Sequence, residues 1–466
     1  MKDEPTSTPI TLNDGSRRRF LKSLGGLGAG MAALPAFAAQ AVPPRPSGAR
    51  YMGGFAAPKL DKVRCAFIGV GARGSGHCNQ VAAIDGAEVV AICDLYEDLA
   101  MRSGKKARER GHSPKLYHGG KNEWQKMLAE VKPDAVFIST PWKLHAPMAI
   151  GAMKAGAHAF VEVPIAITLE EMWDIVDTSE KTARHCMMME NVNYGREELL
   201  YLNMVRKGLL GELLHGEAAY IHELRGQMNE VKRGTGSWRT FHYARRNGNL
   251  YPTHGLGPVA QYMNLARKED NFRRLVSFSS PAMGRALHAR KHFPPGHQWN
   301  QLDYKGGDIN TSIVKTVLGR TILVQWDETS PRPYTRHNLI QGTKGILAGF
   351  PARMAIEGVT KGYHGWTKDE AYEEIAKKYE HPLIKRVGEL AKKMGGHGGM
   401  DFLMLFRIIE CLRKGQPLDQ NVYEGCFWSA VSPLSEASVA QDGMPREFPD
   451  FTRGKWKTTA PLGIIS

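Results

Sequence analysis

The sequence predicts an α/β N-terminal domain with a doubly wound parallel sheet, followed by an α+β C-terminal domain with an open, mostly antiparallel sheet. Short apolar runs alternate with helix-like segments over the first half, which is typical of buried parallel strands joined by crossover helices. After Tyr194 the strand-like segments come closer together, and Gly319-Arg320 indicates a hairpin turn, which favours antiparallel pairing. The predicted strands are residues 63–70, 88–94, 135–140, 158–162 and 186–190 in the first domain, and 215–224, 273–280, 310–317, 320–327 and 335–341 in the second.

The chain length of 466 residues is sufficient for two domains with sizeable cores. Within the second domain, residues 367–394 and 400–414 are expected to be helical, and either Asp419 or Asn421 is expected to cap one more helix. The expected divisions are a Pro-, Ala- and Gly-rich linker at 39–59, the first domain at 60–193, the second at 194–445 and a C-terminal tail at 446–466.

The first 38 residues have the layout of an export signal. Arg17-Arg18-Arg19 precedes an apolar run that is rich in Gly and Ala, and Ala36-Phe37-Ala38 offers a small-residue cleavage site. Consecutive arginines followed by Phe-Leu-Lys resemble a twin-arginine signal. The mature protein is therefore expected in the periplasm or outside the cell, without stable membrane association.

Charge and cysteine content narrow the function classes. The net charge is +15, but no basic run beyond the N-terminus and no nucleic-acid motif accompanies it, so a basic soluble surface is the preferred interpretation. The six cysteines contain no C-x-x-C pair, so no metal site is predicted. Cys65 and Cys93 lie in apolar runs, where buried free thiols are common.

A glycine-rich turn follows the first predicted strand and opens a helix. Gly69, Gly71 and Gly74 fit the pattern G-x-G-x-x-G, with Arg73 inside it, and this strand–turn–helix context gives the pattern its meaning. The glycines permit the tight turn, the approach of the backbone to a pyrophosphate, and close packing of helix on strand. Asp94 ends the second strand, where a carboxylate binds ribose hydroxyls and repels a 2′-phosphate. The sequence therefore predicts a Rossmann domain that binds NAD.

Further candidate contacts to NAD follow the later strands, because ligands of doubly wound sheets bind beyond the carboxyl ends of the strands. Among them, His145 is expected to buttress the loop around the nicotinamide rather than to react. These candidates are Trp142, Lys143, Leu144, His145, Glu162, Val163 and Asn191.

Over about residues 60–445 the chain resembles the glucose–fructose oxidoreductase / inositol dehydrogenase superfamily. The motifs that carry the resemblance are the glycine turn, Thr140-Pro141 and Glu162-Val163-Pro164. Members pair a Rossmann domain with an open sheet that holds a sugar against the nicotinamide. Their dehydrogenases usually carry Glu-Lys-Pro, in which the lysine assists proton transfer. Val163 occupies the lysine position here and cannot transfer a proton, which argues against simple alcohol dehydrogenation.

Three further segments resemble glycoside hydrolase family 109, whose members are NAD-dependent α-N-acetylgalactosaminidases. They are Glu-Asn-Val-Asn-Tyr at 190–194, Tyr-Pro-Thr-His-Gly-Leu-Gly-Pro at 251–258 and Gly-His-Gly-Gly-Met-Asp at 396–401. The resemblance implies hydrolysis of terminal α-linked N-acetylgalactosamine through oxidation at C3, elimination, addition of water and reduction, with no net redox change. Val163 and an export signal that separates the protein from a nicotinamide pool together favour NAD that binds tightly, is loaded before export and is recycled within each turnover.

Two residues are candidate acid/base groups in this resemblance. His254 is the natural proton carrier because histidine titrates near neutral pH. Tyr251, which is also expected to contact NAD, is expected to have a lowered pKa beside an imidazolium and to act as the alternative base. Both are placed on a turn before a helix that starts near Gly257. His397 and Asp401 either shape the start of a helix or contact the sugar. The sugar site implied by the family comprises Tyr220, Arg239, Tyr251, Pro252, Thr253, His254 and Tyr334.

Two other functions remain open at this point. An NAD-dependent sugar or inositol dehydrogenase would need a base in place of the missing lysine. A non-catalytic sugar or nucleotide sensor would need neither His254 nor Tyr251. In each case the expected partner is a small carbohydrate or glycan, and the open sheet is compatible with a homo-oligomer.

Overall fold

The computed structural model describes residues 42–361 and 364–464. The predicted export signal and the first three residues of the predicted linker lie outside these ranges. Residues 42–59 do not form a free linker, because they pack on the body of the protein. Met52 is buried and its amide donates to the Tyr423 hydroxyl over 3.0 Å, while Arg45 pairs with Glu180 at 2.9 Å.

The first domain contains a six-stranded sheet in which every neighbouring pair is parallel, in the order β3-β2-β1-β4-β5-β6. Its central strands are uniformly apolar because helices cover both faces. This confirms the predicted doubly wound sheet. The strands are β1 (Val63–Ile68), β2 (Ala87–Asp94), β3 (Lys115–His118), β4 (Ala135–Ile138), β5 (His158–Val161) and β6 (Cys186–Met188).

Five helices connect these strands, and the short third strand and the helix after it were not predicted. A capping box begins the fifth helix, where the Thr168 hydroxyl accepts from the Glu171 amide and the Glu171 carboxylate accepts from the Thr168 amide. The helices are α1 (Gly74–Val81), α2 (Glu97–Glu109), α3 (Glu123–Val131), α4 (His145–Lys154) and α5 (Leu169–Thr182).

The second domain is built on an eight-stranded sheet in the order β13-β12-β11-β7-β10-β9-β8-β14. Only the β7–β10 pair is parallel, so the prediction of a mostly antiparallel sheet is confirmed. The strands are β7 (Leu213–Ile221), β8 (Phe272–Ser279), β9 (Ile309–Thr316), β10 (Thr321–Asp327), β11 (Leu339–Gly342), β12 (Gly345–Ala348), β13 (Arg353–Ile356) and β14 (Arg446–Glu447).

The helices of this domain lie before, between and after the strands. The last two pack back on the first domain, one against α1 and β1, the other against α5 and β6. They are α6 (Arg196–Arg206), α7 (Gly236–Arg245), α8 (Thr253–Tyr262), α9 (Gly284–His292), α10 (Asp369–Tyr379), α11 (Pro382–Met394), α12 (Met400–Lys414) and α13 (Val422–Val439).

Three helix predictions need correction or refinement. Residues 367–394 form two helices, because Pro382 lacks an amide proton and holds His381 in an extended conformation. Asn421 caps α13 through a capping box with Glu424, whereas the Asp419 carboxylate is bound by Arg407 instead.

Helix α8 starts at Thr253, four residues before the predicted start near Gly257. Pro252 takes the N-cap position, and two glycines of the first turns, Gly255 and Gly257, are required for packing. A Cβ at Gly255 would lie 2.2 Å from the backbone nitrogen of Ala219 in β7, and one at Gly257 would lie 2.9 Å from the Asn193 amide oxygen. The helix therefore rests directly on the sheet and carries His254 in its first turn.

The rest of the described chain adds to the same core. The residues predicted as a C-terminal tail supply β14 and the buried side chains of Phe448, Phe451 and Trp456. All six cysteines are buried free thiols. Among the described residues, no helix has both the length and the apolar character that a bilayer crossing requires.

Candidate functional site

The glycine-rich turn between β1 and α1 has the backbone that a dinucleotide site requires. Gly69 has φ +81°, and a Cβ there would lie 2.8 Å from the Ser139 carbonyl oxygen. A Cβ at Gly74 would lie 1.9 Å from the Gly69 oxygen, whereas nothing lies within 4 Å of the corresponding position at Gly71. The backbone at Gly71 thus faces open space in front of α1, where a pyrophosphate fits.

Asp94, the last residue of β2, lies next to the glycine-rich turn. Its carboxylate accepts hydrogen bonds from the amides of Val70, at 2.7 Å, and Tyr96, at 2.9 Å. Both amides belong to loops at the carboxyl edge of the sheet, so the carboxylate is fixed beside the glycine turn. The donor set and the free space together fit NAD.

The remaining predicted NAD contacts divide into buried and exposed groups. His145 is buried, and its ring nitrogens lie 2.7 Å from the carbonyl oxygens of Pro164 and Thr140, so it braces the loops after β4 and β5. Trp142 is also buried and turns toward the second domain, while Lys143 and Leu144 lie exposed beside it.

Arg73 is the candidate NAD contact inside the glycine-rich turn. Its guanidinium is bound by two carboxylates, Glu162 at 3.1 Å and Asp401 at 3.0 Å. Asn191 donates to the same Asp401 carboxylate over 2.7 Å. Burial alone would raise the pKa of Asp401, but His397 and Arg73 hold that pKa well below its usual range. The guanidinium thus serves as a link between domains.

The predicted sugar-site residues converge on one cluster of aromatic rings. The Tyr220 ring lies 4.9 Å from that of Tyr251 and 5.1 Å from that of His254, and Tyr251 lies 5.0 Å from His254. Tyr334 contacts Tyr220 edge-on at 6.3 Å and is 41% exposed, so it lies at the rim of the cluster. Three segments distant in sequence therefore form one wall.

Arg239 joins this cluster to the first domain. Its guanidinium lies 4.9 Å from the Trp142 ring centre and 4.8 Å from that of Tyr251, and its Nε has no hydrogen-bond partner among the described residues. Pro252 and Thr253 are buried at the start of α8, and the Thr253 hydroxyl likewise lacks a partner within those residues. Buried polar atoms left open in this way are typical of a site whose ligand completes their hydrogen bonds.

Glu190 is a functional residue that the sequence analysis did not single out. It follows β6, its side chain is fully buried, and its Oε1 accepts a hydrogen bond from His254 Nδ1 over 2.6 Å. A carboxylate at this nitrogen fixes the tautomer and the orientation of the ring. Only the resemblance over 190–194 pointed to this region, and it gave no role to the glutamate.

The expectation of a lowered pKa at Tyr251 is wrong for this structure. Burial raises the pKa of the phenol well above its usual value, and the nearby Arg239 offsets this only in part. His254, which was expected to supply the positive charge, instead directs Nδ1 to Glu190. The Tyr251 hydroxyl is therefore a proton donor at neutral pH.

Glu328 is a second unpredicted residue, placed directly after β10 behind Arg239. The carboxylate is fully buried, with the Arg239 guanidinium 3.7 Å from one oxygen and the Tyr243 hydroxyl donating to the other. Burial raises the pKa of this carboxyl to about 7, although Arg239 opposes the shift.

This pKa predicts a pH-dependent loss of stability. Between about pH 4.5 and 7 the folded protein keeps the Glu328 proton that the unfolded chain releases, so rising pH lowers the free energy of unfolding across that window. Glu328→Gln removes this dependence. The difference in unfolding free energy, variant minus wild type, should increase by about 3 kcal/mol from pH 4.5 to 7.5 in urea titrations. Glu357→Gln, at an exposed position, provides the control, and a pH-independent difference for Glu328→Gln would contradict the prediction.

Comparisons with known proteins agree with this architecture. Residues 63–190 match the family described as "Oxidoreductase family, NAD-binding Rossmann fold", and residues 194–458 match "Glycosyl hydrolase 109, C-terminal domain". Among solved structures, an NAD binding oxidoreductase from Klebsiella pneumoniae has a TM-score of 0.65 at 16% identity, covering 83% of this chain and 99% of its own. Levoglucosan dehydrogenase in complex with NADH and levoglucosan has a TM-score of 0.63 at 18% identity, covering 84% and 100%. At such identities these structures establish the fold.

Curated relatives are much more similar. "Glycosyl hydrolase family 109 protein 1" of Akkermansia muciniphila is 63% identical, with 97% of this chain and 99% of that protein covered. "Glycosyl hydrolase family 109 protein" of Shewanella pealeana is 56% identical with the same coverage. The predicted family and the predicted NAD-binding domain are both confirmed. The chain belongs to glycosyl hydrolase family 109 and carries an NAD-binding Rossmann domain.

Proposed function

We propose that this protein hydrolyses terminal α-linked N-acetylgalactosamine, with NAD as a catalytic group that is regenerated in every turnover. The observation that carries the proposal is the His254–Glu190 pair, which lies between Tyr220 and Tyr251 on the wall that faces the NAD-binding domain. It provides a group that can carry a proton, which Val163 at the superfamily's lysine position cannot do.

NAD would be held by the glycine turn, by Asp94 and by the loops after β4 to β6. When bound, it supplies reversible hydride exchange with a sugar carbon, which allows hydrolysis without net redox change. Val163 supports this use over simple dehydrogenation, since its side chain is only 3% exposed and has no group that can carry a proton.

His254 is the proposed base for the proton on C2 of the sugar. Glu190 accepts the Nδ1 hydrogen, so in the neutral ring Nε2 keeps a free lone pair that can take a proton. The carboxylate then stabilises the imidazolium that results. Because His254 stands in the first turn of α8, which rests on β7, its ring is held rigidly during this transfer.

Tyr251 and Arg239 are the proposed donors to the sugar. The high pKa of the buried Tyr251 phenol keeps its proton in place, so the hydroxyl can donate to a sugar oxygen. The Arg239 guanidinium, held over Trp142 and Tyr251, offers N–H groups to hydroxyls or to the acetamido oxygen. The surrounding rings exclude water from this part of the site.

The first test uses aryl glycosides. With an aryl N-acetyl-α-galactosaminide, the holoprotein should release the phenol over many turnovers while the NADH absorbance band does not accumulate. In deuterated water the released sugar should carry deuterium at C2. The corresponding aryl N-acetyl-α-glucosaminide serves as the matched control and should react more slowly. Stoichiometric NADH without phenol release would refute the proposal and favour a sugar dehydrogenase.

The role of the His254–Glu190 pair can be tested separately. Glu190→Gln keeps the size of the side chain but removes the charge that orients and stabilises His254. We expect kcat to fall by about ten- to a hundred-fold with KM little changed, because Glu190 is fully buried behind the histidine. The exposed Glu212→Gln is the matched control and should behave as wild type. A folded Glu190→Gln variant with full kcat would exclude the proposed role.

We also propose that residues 1–38 direct export of the folded, NAD-loaded protein to the periplasm. The order of basic, apolar and small residues in this segment supports it. Replacing Arg17, Arg18 and Arg19 by lysine keeps the charge but removes the arginine pattern. Cell fractionation should then find the variant in the cytoplasm and the wild type in the periplasm. Equal export of both would contradict a twin-arginine signal.

A further inference from the structure

All three nitrogens of the Arg73 guanidinium contact other side chains of the protein. Its Nε donates to Glu162 over 3.1 Å, and its two terminal nitrogens donate to the two oxygens of Asp401 over 3.0 and 3.1 Å. His77 and His397 contact the same two nitrogens at 3.3 and 3.1 Å. Such a two-oxygen contact is directional and stronger than a single ion pair. Asp401 therefore fixes the side chain of a residue in the glycine-rich turn.

Asp401 also reaches a second part of the NAD site. The Asn191 side chain, which follows β6, donates to Asp401 Oδ1 over 2.7 Å. The side chain of Asp401 is only 4% exposed and that of Arg73 is 34% exposed, so the Asn191 contact is buried and the Arg73 contact is partly shielded from water and salt. One carboxylate of the second domain thus holds two loops at the carboxyl edge of the Rossmann sheet.

The loop before Asp401 has an unusual backbone that places this residue next to α1. Five consecutive residues, 395–399, have positive φ, and four of them are glycines. The Gln80 amide of α1 donates to the Gly395 carbonyl over 2.9 Å, which ties this loop to the same helix that follows the glycine turn. Helix α12, which begins at Met400, packs along α1. The loop and Asp401 therefore form one attachment between the second domain and the phosphate cradle.

We propose that Asp401 is a positioning residue for NAD: by clamping Arg73 and Asn191, it locks the glycine-rich turn to the second domain and slows the release of NAD. Release of a dinucleotide from an open cradle needs the turn and the loops around it to move apart. Here such movement must first break the two-oxygen contact between Arg73 and Asp401 and deprive the buried Asp401 carboxylate of its arginine, which is unfavourable. The inference rests on the NAD-binding domain and does not depend on the proposed glycosidase activity.

The test measures NAD release from the purified holoprotein, without substrate. The protein is desalted and diluted into buffer containing an NAD-degrading enzyme as a trap, and protein-bound NAD is quantified over time. Asp401→Asn should accelerate release by about ten-fold or more, because it removes the charge from a buried, charge-assisted contact. Asp369→Asn, also in the first turn of a helix but exposed, is the matched control and should leave the rate unchanged.

A double-mutant cycle separates this role from general destabilisation. Arg73→Lys keeps the charge but lacks the planar fork, so it should speed release by itself. In that background Asp401→Asn should add less than about three-fold, since the contact is already weakened. If Asp401→Asn alone fails to fold, a release rate for Arg73→Lys equal to that of wild type overturns the proposal. Unchanged release in a folded Asp401→Asn variant, or equal acceleration in both backgrounds, overturns it as well.

Discussion

The close approach of α8 to β7 determines where the chemistry of this protein takes place. The contact is made through backbone rather than side chains, since a methyl group at Gly255 would overlap the Ala219 backbone. A second glycine, Gly216 of β7, makes room for Val259 on the opposite side of the same contact. Because close-packed interiors tolerate little displacement, this contact sets the height of His254 above the sheet. The distance between His254 and Glu190 follows from it, as does the packing of Tyr220 against Tyr251. Removing this constraint would disperse the site even if every functional side chain were retained.

The proposed chemistry differs from that of ordinary glycosidases, which use two carboxylates on either side of the scissile bond. The carboxylates of this site are all engaged in holding other groups. Glu190 orients a histidine, Glu162 and Asp401 bind Arg73, and Glu328 lies behind Arg239. In the proposed reaction, hydride exchange with NAD would replace direct displacement at C1, so the protein would need proton carriers and fixed donors rather than a nucleophile. The valine at position 163 is consistent with the proposal, in which His254 of α8 is the proton carrier.

Much of the first domain could be predicted because its signals are local. Apolar runs, a glycine turn and an acidic residue at a strand end are each visible within a few positions, and they placed Gly69 and Asp94 correctly. The second domain was harder, since the short strands β12 to β14 carry little periodicity and the break at Pro382 was overlooked. The partners of functional residues were missed for a different reason. Glu190 is 64 positions from His254 and Glu328 is 89 positions from Arg239, and no local pattern relates residues brought together only by tertiary packing. The error at Tyr251 has the same origin, because its pKa depends on burial that a sequence does not show.

The buried thiols have a consequence for the proposed export of this chain to an oxidising compartment. Burial raises the pKa of Cys65, Cys186 and Cys426 well above the usual value, so the thiolate, which is the form that reacts with oxidants and disulfides, is almost absent from the folded protein. The unfolded chain has no such protection, and six accessible cysteines allow fifteen ways of forming three disulfides. None of them corresponds to the native state, in which every thiol is free. Folding thus protects the thiols from oxidation: under the proposed export, a molecule that crosses the membrane already folded would need no disulfide isomerase, whereas one that unfolds afterwards would expose its thiols to mispairing.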